Sequence, residues 1–134
     1  MPTPYENLLR KTRLVVAAKP LILCVEDDEL YLSLRKGFLE QNGYNVIGVT
    51  MAADALKILQ DTPVCAVIAD HMLQGTIGTE LAKQMKKIKP DVPVIVFSGA
   101  TPTKLDGVDI YVNKNEPTTE FLRILREVVE RYRS

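Results

Sequence analysis

The sequence has little of what disulfide-bonded, zinc-binding or membrane proteins usually contain. It holds one histidine and two cysteines, and its 17 basic side chains are matched by 17 acidic ones. The zero net charge provides no overall basic field for nucleic acid. No apolar run approaches the ~18 residues of a membrane span, and the N-terminus does not resemble a signal peptide. We therefore expect a cytoplasmic protein that contacts neither nucleic acid nor a membrane directly.

The few cysteine and histidine side chains do not form a recognisable site. Cys24 and Cys65 each lie inside an apolar run, which favours buried free thiols over a disulfide. His71 has no second soft ligand at zinc-like spacing, so we interpret it as an ordinary loop residue.

A chain of 134 residues predicts one domain. We place this domain at 20–134, after an extension at 1–19. The extension has two interpretations: a frayed tail, or a helix that packs on the domain or on a second copy. The second interpretation makes a homodimer possible.

Short apolar segments alternate with helical patterns along the domain, which predicts βαβ units and a parallel sheet. The first helix is expected to place Leu30, Leu34 and Phe38 at helical spacing. Strands are predicted at 21–25, 44–50, 64–69, 92–97 and 108–112. Helices are predicted from the acidic EDDE to Asn42-Gly43, at roughly 52–60 and 78–89, and after Pro117.

The connection between the last two predicted strands is unusually short. Only the ten residues SGATPTKLDG separate them, and they include one proline and two glycines. A crossover between parallel strands normally takes a dozen or more residues. We therefore expect a loop or at most a single turn where a helix would normally lie.

Polar side chains follow the carboxyl ends of four predicted strands, where open parallel sheets bind their ligands. Carboxylates crowded together there suit a hard cation such as Mg²⁺. Asp28 can also be interpreted as the cap of the following helix. The set comprises Glu26, Asp27, Asp28, Asp70, Ser98 and Lys114.

These residues resemble those of a known family. The segments ILCVEDDE, VIADHMLQGTIGTEL, VIVFSGA and DIYVNK are similar to the CheY-like receiver domain of two-component response regulators, over about 20–133. The resemblance implies a three-layer, doubly wound, flavodoxin-like α/β fold with five parallel strands in the order 2-1-3-4-5. The short connection further implies that helix four is shortened or absent.

The resemblance also implies roles for individual residues. Asp70 would accept a phosphoryl group from a histidine kinase or phosphotransfer protein, with Mg²⁺ or Mn²⁺ bound. The metal ligands would be the carboxylates of Asp27 and Asp70, the Met72 backbone carbonyl, and Glu26 through water. Such a domain signals to a downstream protein partner, unknown here, and is not counted as an enzyme.

Four further positions match the conformational switch or the loops of that family. Ser98 would hydrogen-bond the phosphoryl group, and Lys114 would pair with it. Tyr111 matches an aromatic residue that turns inward on activation, and Gly78 matches a loop glycine.

Two residues depart from the family pattern. Asn115 follows Lys114, where a proline is usual and often forms a cis bond. Because a cis bond before a non-proline residue costs ~2.5–4 kcal/mol, we predict a trans peptide. Gln74 replaces a common proline in the loop after Asp70, which should loosen that loop.

Two other functions remain open from the sequence. The chain could be a receiver-like interaction module that is not phosphorylated. It could also be a flavodoxin or an aspartate-nucleophile phosphatase on the same fold. Against the latter two, the loop after the first strand is acidic and lacks the pattern D-x-D-x-T.

Overall fold

The computed structural model describes residues 19–73, 75–99 and 108–133. The predictions for the 1–19 extension (save its last residue), for Gln74 and for helix four in the short connection lie outside these residues. The strands are β1 (Leu21–Val25), β2 (Asn45–Val49), β3 (Ala66–Asp70), β4 (Met72–Leu73), β5 (Thr76–Ile77), β6 (Val94–Ser98) and β7 (Ile110–Asn113). The helices are α1 (Glu29–Gln41), α2 (Ala52–Asp61), α3 (Gly78–Ile88) and α4 (Thr118–Arg133).

Five of these strands form one parallel sheet in the order β2-β1-β3-β6-β7. One row across the sheet joins Gly48, Cys24, Ile68, Ile95 and Ile110. The short pair β4 and β5 lies outside this sheet. The order is therefore the predicted 2-1-3-4-5, and the predicted fold class is confirmed.

Helices cover both faces of the sheet, so the domain has three layers. In β1 the buried side chains alternate: Ile22 and Cys24 pack on one face, Leu23 and Val25 on the other. The first face packs against α1 and α4, and the second against α2 and α3. This double coverage explains why the strands read as continuous apolar runs.

The residues of α1 that pack against the sheet differ from the helically spaced set that the sequence suggested. Leu30 and Leu34 are exposed, at 66% and 60% of their surface. Leu39 is fully buried, and Leu32 and Phe38 pack partly against the core. Apolar residues occur on more than one side of this helix, so spacing alone does not decide which side meets the sheet.

The two cysteines also differ from each other. Both are free, as predicted, but only Cys24 is buried, and Cys65 is half-buried just before β3. Burial raises the pKa of the Cys24 thiol to about 12, so this thiol stays protonated and unreactive near neutral pH. The prediction of burial was wrong for Cys65.

A small hairpin follows β3 where the sequence suggested a loop. Strands β4 and β5 pair antiparallel, with Met72 opposite Ile77. Gly75 lies between them with φ of 86°, a left-handed conformation that favours glycine. Two-residue strands are too short to show an alternating pattern.

Among the described helices, none is long and apolar enough to cross a membrane.

Candidate functional site

Three carboxylates converge where β1 and β3 end. One oxygen from each of Glu26, Asp27 and Asp70 lies within 4.8 Å of the others. Glu26 and Asp70 are 3% and 5% exposed, whereas Asp27 faces solvent. The predicted cluster therefore exists, with two buried acids and one exposed acid that a cation could reach from outside.

Glu26 is the most perturbed of these acids. Its Oε1 accepts a hydrogen bond from the Asp28 N–H at 3.2 Å, and its Oε2 lies 3.7 Å from Arg35 Nη1. Burial raises the pKa of Glu26 to about 7, the Asp70 carboxylate adds to the increase, and the Asp28 N–H and Arg35 oppose it. Near neutral pH, a cation at this cluster would displace a proton from Glu26.

Lys114 brings positive charge to the same edge. The Lys114 Nζ lies 2.8 Å from Asp70 Oδ1. The backbone N–H of Lys114 donates to the Ser98 carbonyl at 2.9 Å. Ser98 is the last residue of β6, is 6% exposed, and pairs in register with Asn113. The structure thus brings the predicted hydroxyl and ammonium residues to the strand ends beside Asp70.

The turn after β7 uses the backbone N–H of Asn115. The Asn115 N–H donates to Asn113 Oδ1 at 2.8 Å, and the Glu116 N–H donates to the Asn113 carbonyl at 3.0 Å. A proline at 115 would lack this donor. No peptide bond among the described residues is cis, so the predicted trans bond between Lys114 and Asn115 is confirmed.

Gly78 supports the backbone beneath Asp70. Its N–H donates to the His71 carbonyl, and a Cβ at this position would lie 2.6 Å from the Asp70 carbonyl oxygen and 2.9 Å from His71 Cα. The His71 N–H in turn donates to the Phe97 carbonyl at 2.7 Å. His71 follows β3 directly, and Met72 begins the hairpin with an exposed side chain.

The Asp28 side chain and Tyr111 are not members of the carboxylate cluster, although the Asp28 N–H donates to Glu26. Asp28 is the N-cap of α1, and its Oδ1 accepts from the Tyr31 N–H at 3.1 Å, which confirms its interpretation as a cap. Tyr111 lies in β7 opposite Val96, and its half-buried side chain packs on the face covered by α2 and α3.

Sequence reasoning missed Arg35, which lies beside the cluster. Its guanidinium stands 4.8 Å from the centre of the Phe97 ring and 3.7 Å from Glu26. Together with Glu26, Tyr31, Phe97 and Lys114, it lines a cavity of about 360 Å³. The available signal was its position between Leu32 and Leu39 on the inward side of α1.

Comparison with known proteins agrees with this fold. Residues 22–125 match the family described as response regulator receiver domain. An uncharacterized transcriptional regulatory protein, YbdJ of Bacillus subtilis, is 34% identical over 116 residues, which are 83% of this chain and 51% of that protein. The phosphate regulon regulator PhoB of Pseudomonas aeruginosa is 27% identical, over 82% of this chain and 52% of that protein. The chain thus spans about half the length of these curated relatives.

Solved structures show the same architecture. A CheY-like receiver domain protein from Methanospirillum hungatei superposes with a TM-score of 0.80, covering 87% of this chain and 98% of that one, at 24% identity. The response regulator TrrA of Thermotoga maritima, solved in complex with Mg²⁺ and BeF, has a TM-score of 0.75 at 26% identity, covering 81% of this chain and 98% of that one. The chain belongs to the response regulator receiver domain family.

Proposed function

We propose that this chain is a phosphoacceptor receiver domain of two-component signalling. It takes a phosphoryl group onto Asp70 from a histidine kinase or phosphotransfer protein, with Mg²⁺ or Mn²⁺ bound. One observation carries the proposal: the buried Asp70 carboxylate lies 2.8 Å from the Lys114 ammonium and within the carboxylate cluster. A nucleophile and a cation that can meet the transferred charge are thus adjacent.

The residues at the cluster fit a divalent cation. All their side-chain ligand atoms are carboxylate oxygens, the donors that Mg²⁺ prefers. Asp27 and Asp70 would hold the ion directly, Glu26 through water, and Met72 through its carbonyl. The bound ion supplies positive charge that offsets the charge on the transferring phosphoryl group.

The transfer itself requires little more than positioning. An Asp70 oxygen attacks phosphorus, the bond from phosphorus to the donor imidazole nitrogen breaks, and an acyl phosphate and a histidine result. Lys114 lies close enough to Asp70 to follow the phosphoryl oxygens, and Ser98 is the nearby hydroxyl donor. The product adds about −1.5 to −2 charges at this edge.

The added charge would bias the position of the residues around it. Ser98 moves to meet the phosphoryl group, and Tyr111 then turns inward, which alters the surface that a downstream partner contacts. The solved TrrA complex with Mg²⁺ and BeF supports the same use of the site here, because the two chains share 26% identity across the domain. A cytoplasmic location, a homodimer and the identity of the partner stay predictions.

The test is phosphorylation of the purified chain by acetyl phosphate with Mg²⁺, followed by intact mass and by Phos-tag gel. We expect one phosphoryl group on the wild type and none on Asp70→Asn. Asp54→Asn makes the same change at an exposed acid in the first turn of α2, and should be phosphorylated like the wild type. A wild type that gains no group, and binds no beryllofluoride, would instead be an interaction module that is not phosphorylated.

A further inference from the structure

Arg35 is a cation held against a carboxylate that the metal would need. Its side chain is only 17% exposed, although many residues of α1 are exposed to solvent. The face of Phe97 supports the guanidinium at 4.8 Å, an arrangement that favours arginine because its planar group stacks on an aromatic ring. Phe97 is itself held by Phe121, whose ring centre is 4.7 Å away.

The contact between Arg35 and Glu26 is incomplete. At 3.7 Å the two charges attract, but the distance is too long for a hydrogen bond. Within the described part of the chain, the buried Arg35 Nη1 finds no hydrogen-bond acceptor. The pair is therefore positioned to separate readily when another cation takes the Glu26 carboxylate.

A divalent cation in the cluster would meet Arg35 as a like charge. Glu26 is both the counter-ion of Arg35 and a member of the group that can hold the ion. Because like charges repel, and the Glu26 carboxylate that both cations would share is buried, the repulsion is only partly screened. Binding of the ion and pairing with Arg35 thus oppose each other.

We propose that Arg35 is a positioning residue that pairs with Glu26 when the site holds no divalent cation and competes with that cation for the carboxylate. Arg35 thereby lowers the affinity of the cluster for Mg²⁺ and sets the cation concentration at which Asp70 becomes competent to react. This inference rests on the proposed function for its metal site. It assigns Arg35 no contact with the phosphoryl group.

The test is direct titration of the metal without any phosphoryl donor. Mg²⁺ binding is measured by calorimetry and Mn²⁺ binding by electron paramagnetic resonance, at about pH 8.5, where Glu26 is ionised because its pKa is about 7. Arg35→Met puts an unbranched apolar side chain in place of the arginine and removes the charge. We expect its affinity for both ions to rise by roughly three- to tenfold, as loss of one nearby like charge predicts.

Two variants separate the charge of Arg35 from its packing. Arg35→Lys keeps the charge and should bind the ions with nearly the wild-type affinity. Lys36→Met removes an exposed charge from the next position of the same helix, and should also leave the affinity nearly unchanged. Urea unfolding of all variants without metal shows whether each is folded; if Arg35→Met is not, Arg35→Gln replaces it with the same expected gain.

The outcomes distinguish this inference from the proposed function. Wild-type binding that Arg35→Met leaves unchanged or weakens would overturn the competition alone. No binding of either ion by the wild type or Arg35→Met would overturn the metal site and the inference together.

Discussion

Replacing Gly78 with alanine should destabilise the domain and slow phosphorylation of Asp70 together. The added Cβ would lie 2.6 Å from the Asp70 carbonyl oxygen and 2.9 Å from His71 Cα. Both contacts are with backbone, which cannot rotate away as a flexible side chain could. The segment that ends β3 must therefore shift, and the Asp70 carboxylate shifts with it.

The cost follows from the geometry of the contact. Overpacking a close-packed site costs typically ~1–3 kcal/mol, and the shorter of these contacts, at 2.6 Å, is closer than a carbon and an oxygen that are not bonded can approach. The first position of α3 offers little compensation from helix propensity. We expect a loss of about 1–2 kcal/mol, which for a domain of this size lowers Tm by roughly 4–8 °C.

The assay is urea and thermal unfolding by circular dichroism, with acetyl phosphate labelling in parallel. Gly37→Ala provides the matched control, since a Cβ there would have nothing within 4 Å and the residue lies inside α1. Relief of backbone entropy should make Gly37→Ala more stable by ~0.5–1 kcal/mol. The two identical changes should thus have opposite signs.

A Gly78→Ala protein as stable as the wild type would refute the close approach itself. Lower stability with an unchanged labelling rate would leave the packing argument standing. It would refute the claim that Gly78 positions the Asp70 backbone.

Three other predictions concern individual side chains. The pKa of Glu26 is raised from 4.5 to about 7, so its contribution to stability is present at low pH and is lost as pH rises across that interval. In EDTA, the Glu26→Gln variant should therefore lose less stability than the wild type between about pH 5 and pH 8, as measured by urea unfolding. Equal losses in the two proteins would contradict this. Leu39→Ala should cost ~2–5 kcal/mol and Leu34→Ala less than ~0.5 kcal/mol in the same assay; the reverse order would mean that α1 presents its other side to the sheet. Asp109 accepts from the Val94 N–H at 2.7 Å and pairs with Lys86, so Asp109→Ala should cost about 1 kcal/mol, whereas a neutral result would show that water replaces it.

Much of the fold could be predicted because strands and helices leave distinct periodic patterns. Each of the five strands of the sheet was found within two residues of its predicted bounds, as were the four described helices. The face of α1 was misjudged, because Leu30 and Leu34 fit a helical line as well as the residues that are buried. The hairpin at Met72 was not anticipated, because its strands are two residues long.

Only those residues of the candidate site that lie at the carboxyl ends of the strands could be predicted from the sequence. Parallel strands bring their carboxyl ends to one edge, so Glu26, Asp27 and Asp70 had to lie near one another once the order of strands was known. Arg35 could not be found this way. It reaches the edge from the side of a helix, and the rotation of that helix is set by packing.

The sequence by itself determined the parallel sheet, the acids and the lysine at its edge, and the trans bond before Asn115. These depend on local pattern, on the chemistry of single residue types, and on the high cost of a cis bond without proline. Only the tertiary structure decided that Lys114 meets Asp70 at 2.8 Å, that Gly78 lies directly beneath the Asp70 carbonyl, and that Arg35 turns inward toward Glu26. The first of these contacts joins residues far apart in the chain, and the distances in all three result from how helices, loops and sheet pack together.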